Sequence, residues 1–271
     1  MKKIIDANFF RDSILVDYLK SNKENMVVFC DYACMEAYKG NAIENISRSI
    51  EIVSKFPDQV VVLKGTRDII KLTLSDNHLG LLEDLSQTRE FKIFCLSVER
   101  AIHGDVTLAN QILDNGKIAS DHFARLRKDA LLVAQGIRGF TKSYKSDQLV
   151  ALRKKEELKF EVIDKVIKHI MLLAATLFKN HPDVQEFPQF PQVRNSYIFR
   201  FAISAYLLNL RWISDGGIEN VNLDRLRNDV VDMNYVTYAT FFDGLLTKDN
   251  KMEEIYQETC FILEHAFVSG E

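Results

Sequence analysis

The chain has 271 residues, an ordinary share of apolar residues and a nearly balanced charge. With 47% apolar and 27% charged residues it can build a globular core, which argues against extended disorder. The net charge of −3 provides no overall basic field for nucleic acid, although a bound divalent metal restores charge to a site built from carboxylates. The four cysteines form no Cys-x-x-Cys pair, and no apolar run approaches the roughly 20 residues that span a bilayer. We therefore expect a soluble, cytoplasmic protein with reduced thiols and no membrane partner.

The first part of the chain alternates between strand and helix patterns. Lys3–Asp6, Met26–Phe29 and Val60–Leu63 are short apolar runs that predict buried strands. Apolar residues at helical spacing fill the intervals, from Phe10 to Leu19 and over Ala42–Lys55. Strands that alternate with helices in this way indicate a parallel α/β sheet.

The middle of the chain, from about residue 69 to 179, has an almost entirely helical pattern, with breaks predicted at Gly104 and between Gly136 and Lys145. Lys142–Lys168 contains eight basic and five acidic residues. This excess of positive charge indicates either a solvated helix face or a helix that runs along phosphates. His181–Pro191 holds three of the four prolines, which predicts a turn or linker.

The last part of the chain returns to a strand pattern between helices. Tyr197–Ile213 predicts a long helix, and Asn222 is a good N-cap for a second helix over Leu223–Thr240. Gly244–Thr247 predicts a last short strand, and an amphipathic helix follows over Asn250–Phe267. Predicted strands therefore lie near both ends of the chain, with helices between them.

Carboxylates fall at or near the carboxyl ends of the predicted strands. Asp6 ends the first strand, Asp249 follows the last one, and Glu36 lies on a short helix after the second. In the helix before the last strand, Asp232 shares a face with Asp229 three residues away. Parallel sheets bind ligands beyond the carboxyl ends of their strands, and several carboxylates there are costly without a cation. The pattern predicts a site for a hard divalent metal with oxygen ligands.

Three parts of the sequence carry a resemblance to a known family. Ile4–Phe9 is similar to an opening of two apolar residues followed by Asp-x-Asn. Val27–Phe29 with Met35–Lys39 resembles the family's second strand and the helix that bears its second acid. Asn228–Val236 with Asp243–Asp249 is similar to a third acid on a helix, followed by a strand that ends in Thr-x-Asp. On these motifs the chain resembles the PIN-like nucleases, metal-dependent ribonucleases with a small Rossmann-like α/β fold.

The resemblance implies both a fold and a set of site residues. The implied fold is α/β, a PIN-like (Rossmann-like) parallel sheet flanked by helices. Residues 1–75 and 195–271 would form this nuclease core, and residues 76–194 a mostly helical inserted lobe. The implied catalytic and metal-binding acids are Asp6, Glu36, Asp232 and Asp249. Around them we expect Asn8 and Thr247 as polar neighbours, and Asp229 either as a further neighbour or as a solvated residue.

The resulting functional hypothesis is metal-dependent hydrolysis of phosphodiester bonds in RNA. One or two Mg²⁺ or Mn²⁺ ions, held by the four acids, would activate a water molecule. RNA is favoured by the resemblance alone, and a regulatory protein partner is compatible with it. Two alternatives stay open: a non-catalytic PIN-like module that binds RNA or protein, and a structure-specific DNA nuclease. An aspartyl phosphatase is disfavoured because Asp6-Ala7-Asn8 lacks the second aspartate that would serve as its acid.

Several residues near these motifs have structural interpretations. Asp31 is expected to be the N-cap of the short helix after the second strand, and Asp243 to be structural at the start of the last strand. Arg200 and Arg211 of the long helix could face either phosphate or solvent, and solvent is the preferred interpretation. The aromatic residues of that helix are expected in the core: Phe201, Tyr206 and Trp212.

Overall fold

The structure is a computed structural model that describes residues 1–72, 79–154, 159–184, 187–215 and 222–266. In these ranges each helix is too short or too polar to cross a bilayer. The described helices and strands follow the chain order that the sequence predicts, with strands near both ends and helices between them.

Four parallel strands form the centre of the fold, in the order β3-β2-β1-β4. They are β1 (Lys2–Ile5), β2 (Met26–Phe29), β3 (Val60–Val62) and β4 (Leu245–Leu246). Ile4 pairs with Val28 on one side and with Leu245 on the other, so β1 lies between β2 and β4. The strands are short apolar runs because helices cover both faces of such a sheet. The predicted parallel α/β sheet is confirmed.

Short helices connect the first three strands. They are α1 (Ser13–Ser21), α2 (Asp31–Ala37) and α3 (Ala42–Ile50). Asp12 caps α1, since its carboxylate accepts a hydrogen bond from the main-chain nitrogen of Ile14. Helix α3 ends earlier than predicted and is followed by a separate 3-10 turn at Val53–Lys55. Pro57 follows this turn and disfavours helical backbone at the residue before it.

The middle of the chain is helical in its described residues, as predicted. Its helices are α4 (Thr66–Ile70), α5 (Leu85–Ile102), α6 (Val106–Lys142), α7 (Ser146–Arg153), α8 (Phe160–Asn180) and α9 (Phe190–Val193). Outside the four named strands, the described residues form one isolated antiparallel β-bridge, between Leu63 and Glu83. Gly104 separates α5 from α6 with a φ of 103°, a conformation that glycine tolerates best. The second break, between α6 and α7, lies at residues 143–145. This is the end of the predicted interval, since α6 continues through Gly136.

Three long helices complete the chain: α10 (Tyr197–Ser214), α11 (Leu223–Ala239) and α12 (Asn250–His265). Asn222 is the N-cap of α11, as predicted, and accepts a hydrogen bond from the main-chain nitrogen of Asp224. Helix α10 packs against α8, α11 and α12. This position explains why Tyr206 and Trp212 are buried, as predicted, whereas Phe201 is half-buried. Phe267, the last residue predicted for the final helix, lies outside the described residues.

One hydrophobic cluster extends from the sheet into the helices of the middle segment. It joins Ile5 of the sheet to Phe91 of α5, Ile112 of α6, Ile170 of α8 and Tyr206 of α10. The middle helices therefore pack directly against the α/β part of the molecule. The boundary predicted between residues 75 and 76 lies outside the described residues, and the division into a core and a lobe stays a prediction.

Helix α6 approaches α3 closely at a single glycine. A Cβ atom placed on Gly116 would lie 2.7 Å from the Cβ atom of Ala42, closer than carbon atoms pack. The missing side chain at Gly116 therefore lets the two helices touch.

Candidate functional site

Helix α11 contacts the sheet at β1 and β4 and turns one row of side chains towards the carboxyl ends of the strands. The row consists of every third residue of the helix: Asp229, Asp232, Tyr235 and Tyr238. Asp229 contacts a residue after β4, Tyr235 one after β2 and Tyr238 one after β3. The row thus follows the order of the sheet. We call its charged part, with the acids and the lysine that face it, the acidic edge: Asp6, Glu36, Asp229, Asp232, Asp249 and Lys251.

Asp6 is the most deeply buried of the four predicted acids, at 2% exposure. Its Oδ2 accepts a hydrogen bond of 2.9 Å from the hydroxyl of Thr247, which follows β4. The main-chain nitrogen of Asn8 and its amide lie 3.4 and 3.5 Å from the Asp6 carboxylate. Burial raises the pKa of Asp6, and the negative charge of Asp249 adds to this rise. Both predicted polar neighbours, Asn8 and Thr247, therefore contact Asp6.

Asp249 lies beside Asp6 because the ends of β1 and β4 are neighbours. Its Oδ1 accepts hydrogen bonds of 2.7 and 3.2 Å from the main-chain nitrogens of Lys251 and Met252, so Asp249 is the N-cap of α12. Its own main-chain nitrogen donates to the hydroxyl of Thr247 at 3.1 Å. Thr247 therefore bridges two of the predicted acids.

Glu36 reaches the acidic edge from α2. The hydroxyl of Tyr235 donates a hydrogen bond of 2.6 Å to its Oε2. Burial raises the pKa of Glu36, and the charge of Asp6 raises it further, while Lys39 and Arg227 oppose the change. Tyr235 thus connects the row on α11 to α2, the helix after the second strand, a contact that the sequence pattern did not predict.

Of the acids at this edge, Asp232 has the fewest hydrogen-bond donors and close positive charges among the described residues to compensate its negative charge. Within the described residues its side chain receives no hydrogen bond, and the ammonium of Lys251 lies 4.0 Å from its Oδ2. The pKa of Asp232 is raised to about 8, chiefly by burial and in addition by the negative charges of Asp6, Asp229 and Asp249. The attraction of Lys251 opposes this rise. These mutual effects place Asp232 among the other acids of the edge.

Asp229 is buried and paired. The indole nitrogen of Trp212 donates a hydrogen bond of 2.9 Å to its Oδ2, and the ammonium of Lys251 donates to its Oδ1. Asp229 is 4% exposed, which excludes the alternative that it is a solvated residue. Sequence reasoning missed Lys251, although a lysine two residues after Asp249 on the first turn of α12 was a visible signal.

The chemistry of the four acids fits a hard divalent cation, since carboxylate oxygens are its preferred ligands. Across the described ranges, however, no group of three or more His, Cys, Asp or Glu side chains is arranged to hold a metal ion. Both oxygens of Asp6 and one oxygen each of Glu36 and Asp249 accept hydrogen bonds from the protein instead. The structure thus brings the predicted acids to one edge without a preformed set of ligands, and their catalytic role stays a prediction.

Asp31 has a different role from the predicted one. Cys30 occupies the N-cap position of α2, so the prediction that Asp31 is the N-cap is wrong. The Asp31 carboxylate accepts hydrogen bonds from the main-chain nitrogen and the hydroxyl of Thr66, at 2.8 and 2.7 Å. The Thr66 hydroxyl also lies 2.7 Å from that of Tyr238. Asp31 therefore connects the start of α2 to the start of α4, and through Thr66 to Tyr238 at the end of the row on α11.

Two arginines expected in solvent have protein partners. The guanidinium of Arg200 stacks 3.9 Å from the centre of the Phe241 ring and donates to the carbonyl of Thr240. Arg211 pairs with Glu258 at 2.9 Å and with Glu254 at 3.4 Å. The preferred interpretation, that both face solvent, is therefore wrong, and the partners Thr240 and Glu258 lie far away in the chain.

Three lysines of the basic run Lys142–Lys168 have described partners. Lys145 lies 3.6 Å from Glu161, and Lys168 lies 2.6 Å from Asp164. Lys165 donates to the carbonyl of Ser143 and to the side chain of Gln148. Residues 155–158 of the run lie outside the described residues. These partners favour the solvated-face interpretation over a helix that runs along phosphates.

A groove of about 750 Å³ adjoins the acidic edge. It is lined mainly by residues of α8, α10 and α12, and Lys251 is one of them. Other lining residues are Ile163 and Ile167 of α8, Leu210 and Arg211 of α10, and Glu254 and Phe261 of α12. Lys251 therefore touches both the acids and the groove.

No family model, no curated protein and no solved structure matches the chain. The resemblance to PIN-like nucleases rests on the sequence motifs alone. The nuclease function is accordingly a proposal.

Proposed function

We propose that the chain is a PIN-like, Mg²⁺- or Mn²⁺-dependent nuclease that hydrolyses phosphodiester bonds of RNA in the cytoplasm. The observation that carries the proposal is the convergence of carboxylates beyond the strand ends, where Thr247 bridges Asp6 and Asp249 and Tyr235 contacts Glu36. A partly buried site with this excess of negative charge favours uptake of a cation. The position at the carboxyl ends of parallel strands supports a ligand site.

The proposed ligands are the four acids, Asp6, Glu36, Asp232 and Asp249. A bound metal would supply activation of a water molecule and neutralise the negative charge of the transition state. The chain's own residues orient the carboxylates: Thr247 holds Asp6, and Tyr235 holds Glu36. Such hydrogen bonds lower the cost of assembling ligands around an ion, since the side chains need less reordering.

The test is cleavage of labelled total RNA, single-stranded DNA and a branched DNA duplex by the full chain, in Mn²⁺, Mg²⁺ or EDTA. We expect RNA to be cut in Mn²⁺ and left intact in EDTA. Asp6→Asn should lose this activity. The matched control Asp243→Asn should keep it, because Asp243 accepts a hydrogen bond from the main-chain nitrogen of Lys2 at the opposite end of β4. Cleavage confined to the branched duplex would identify a structure-specific DNA nuclease instead.

Two observations favour a second candidate, a non-catalytic module that binds RNA or a regulatory protein. The described residues contain no ready group of three metal ligands, and Lys251 already places a positive charge beside Asp232. This candidate predicts RNA binding that EDTA does not change, with no cleavage in either metal. Binding of the labelled RNA in EDTA, measured by gel shift beside the cleavage assay, separates the two candidates.

A further inference from the structure

A cavity of about 370 Å³ lies between the sheet and helices α2, α3, α5 and α6. Cys34, Ala37 and Tyr38 of α2 line it. Glu36 lies on the opposite face of the same helix, where it contacts Tyr235. The cavity is therefore separate from the acidic edge, and its binding properties do not depend on the proposed nuclease function.

The interior of the cavity is apolar. The buried side chains that line it are all hydrophobic: Phe29, Ala37, Ile46, Ile50, Val62 and Phe91. Buried water needs two to four polar partners, which these side chains do not provide. An apolar cavity of about 150 Å³ binds benzene. A cavity of more than twice this volume therefore has room for two fused rings.

Three phenylalanine rings form a continuous aromatic wall along the cavity. The ring centre of Phe91 lies 5.7 Å from that of Phe29 and 6.0 Å from that of Phe94. The three rings are tilted against one another, and that of Phe94 is half-buried. Aromatic rings prefer offset or edge contacts with other rings at such distances. The wall thus favours a flat aromatic ligand over an aliphatic chain.

The mouth of the cavity is polar and carries one charge. Its exposed residues are Gln87, Glu90 and Asn115, and the side chain of Asn115 shares a hydrogen bond with that of Tyr38. Glu90 is the one charged residue among the lining residues that the structure describes. It lies one helical turn before Phe94 on the same face of α5. A carboxylate beside an aromatic wall suits a cation, because both the charge and the ring faces attract it.

We propose that the cavity is a binding site for a small aromatic amine. Two fused rings fill the space beside Phe29, Phe91 and Phe94, and the ammonium lies at the mouth, next to Glu90. Burial of the rings supplies most of the affinity, since it removes apolar surface from water. Glu90 supplies a preference for positive charge, which is modest because an exposed carboxylate is screened.

The test titrates the full chain, in EDTA, with three probes that share a naphthalene ring system, by isothermal titration calorimetry. The probes are naphthylmethylamine, which is a cation, naphthalenemethanol, which is neutral, and naphthoate, which is an anion. We expect one-to-one binding, with the amine about twofold to fivefold tighter than the alcohol, the ratio typical of an exposed ion pair. The anion should bind more weakly than the alcohol. Equal affinity for all three probes would overturn the preference for an amine.

The role of Glu90 is tested by a matched pair of variants on α5. Glu90→Gln should bind the amine and the alcohol with equal affinity. Glu99→Gln makes the same change at an exposed residue of the same helix that does not line the cavity, and it should keep the preference for the amine. Both residues are exposed, so neither substitution threatens the fold. An unchanged preference in Glu90→Gln would overturn the placement of the ammonium.

The position of the rings is tested at the aromatic wall. Phe94→Ala should weaken the binding of all three probes by about twofold to tenfold, because one ring contact is lost. Phe160→Ala is the matched control, since Phe160 is 84% exposed on α8 and does not line the cavity. It should leave the affinities unchanged.

Two results would overturn the site as a whole: equal affinities in Phe94→Ala and the wild type, or absence of binding of every probe to the wild type. Because these titrations involve neither a metal nor RNA, such a failure would leave the proposed nuclease function standing.

Discussion

Two helix contacts in this molecule are held together by different physical effects. Where α6 meets α3, the contact depends on shape, because Gly116 leaves just enough space for Ala42. Where α11 meets the carboxyl edge of the sheet, the contact depends on charges and hydrogen bonds, from Asp229 to Tyr238. A change of volume should therefore be costly at the first contact. A change of charge at the second should alter function and can even relieve repulsion.

The largest expected effect is on the charged contact. Asp232→Asn should reduce cleavage in Mn²⁺ by several orders of magnitude, since loss of one preorganised electrostatic group alone costs about 10²–10³ in rate. The substitution keeps the size of the side chain and removes one uncompensated charge, so the metal-free protein should not lose stability. Cleavage and thermal unfolding are measured side by side with Asp243→Asn as the control. Full activity in Asp232→Asn would show that Asp232 is not a ligand.

The row on α11 contains its own matched pair for hydrogen bonds. Tyr235→Phe removes a donor to the Glu36 carboxylate, whereas Tyr238→Phe removes a contact with the neutral hydroxyl of Thr66. We expect losses in unfolding free energy of about 1.5–3 kcal/mol for the first and about 0.5–1.5 kcal/mol for the second. Urea denaturation of both variants checks this order. A larger loss for Tyr238→Phe would show that charge does not dominate the contact.

The shape-dependent contact is tested by adding one methyl group. Gly116→Ala should destabilise the fold by about 1–3 kcal/mol, because the new Cβ would lie 2.7 Å from that of Ala42. Gly139→Ala in the same helix has no described heavy atom within 4 Å of the new Cβ. It should therefore stabilise the fold by up to about 1 kcal/mol through helix propensity. Urea denaturation distinguishes the two, and equal effects would contradict the close approach.

A pH dependence of stability is the last expected effect. The folded protein holds the proton of Asp232 up to its pKa of about 8, whereas the unfolded chain releases it near 3.8. The folded state thus binds the extra proton between these values, so stability falls as pH rises from about 4 to 8. Asp232→Asn lacks this loss, and its melting temperature in EDTA should exceed that of the wild type by at least about 2 °C at pH 8. A difference that does not grow from pH 4 to pH 8 would refute the pKa shift.

The sequence predicted the elements of the fold well where local patterns dominate. The apolar runs around Ile4, Val28 and Val61 became strands, and Asn222 capped its helix as expected. The role of Asn222 as an N-cap was predictable because a cap is a contact between residues a few positions apart. The partners of Arg200 and Arg211 were not predictable, since Phe241 and Glu258 are distant from them in the chain.

By itself the sequence determined the parallel α/β class, because the alternation of apolar strands and helices depends on local spacing. It also determined that Asp6 and Asp249 would lie at one edge, because the carboxyl ends of parallel strands share a side. Only the tertiary structure decided which charges compensate the acids. Asp229 received Trp212 and Lys251, whereas Asp232 was left poorly paired, although both lie on the same row of α11. The reason is that burial and electrostatic interactions depend on distances in space, which the spacing of residues along the chain does not specify.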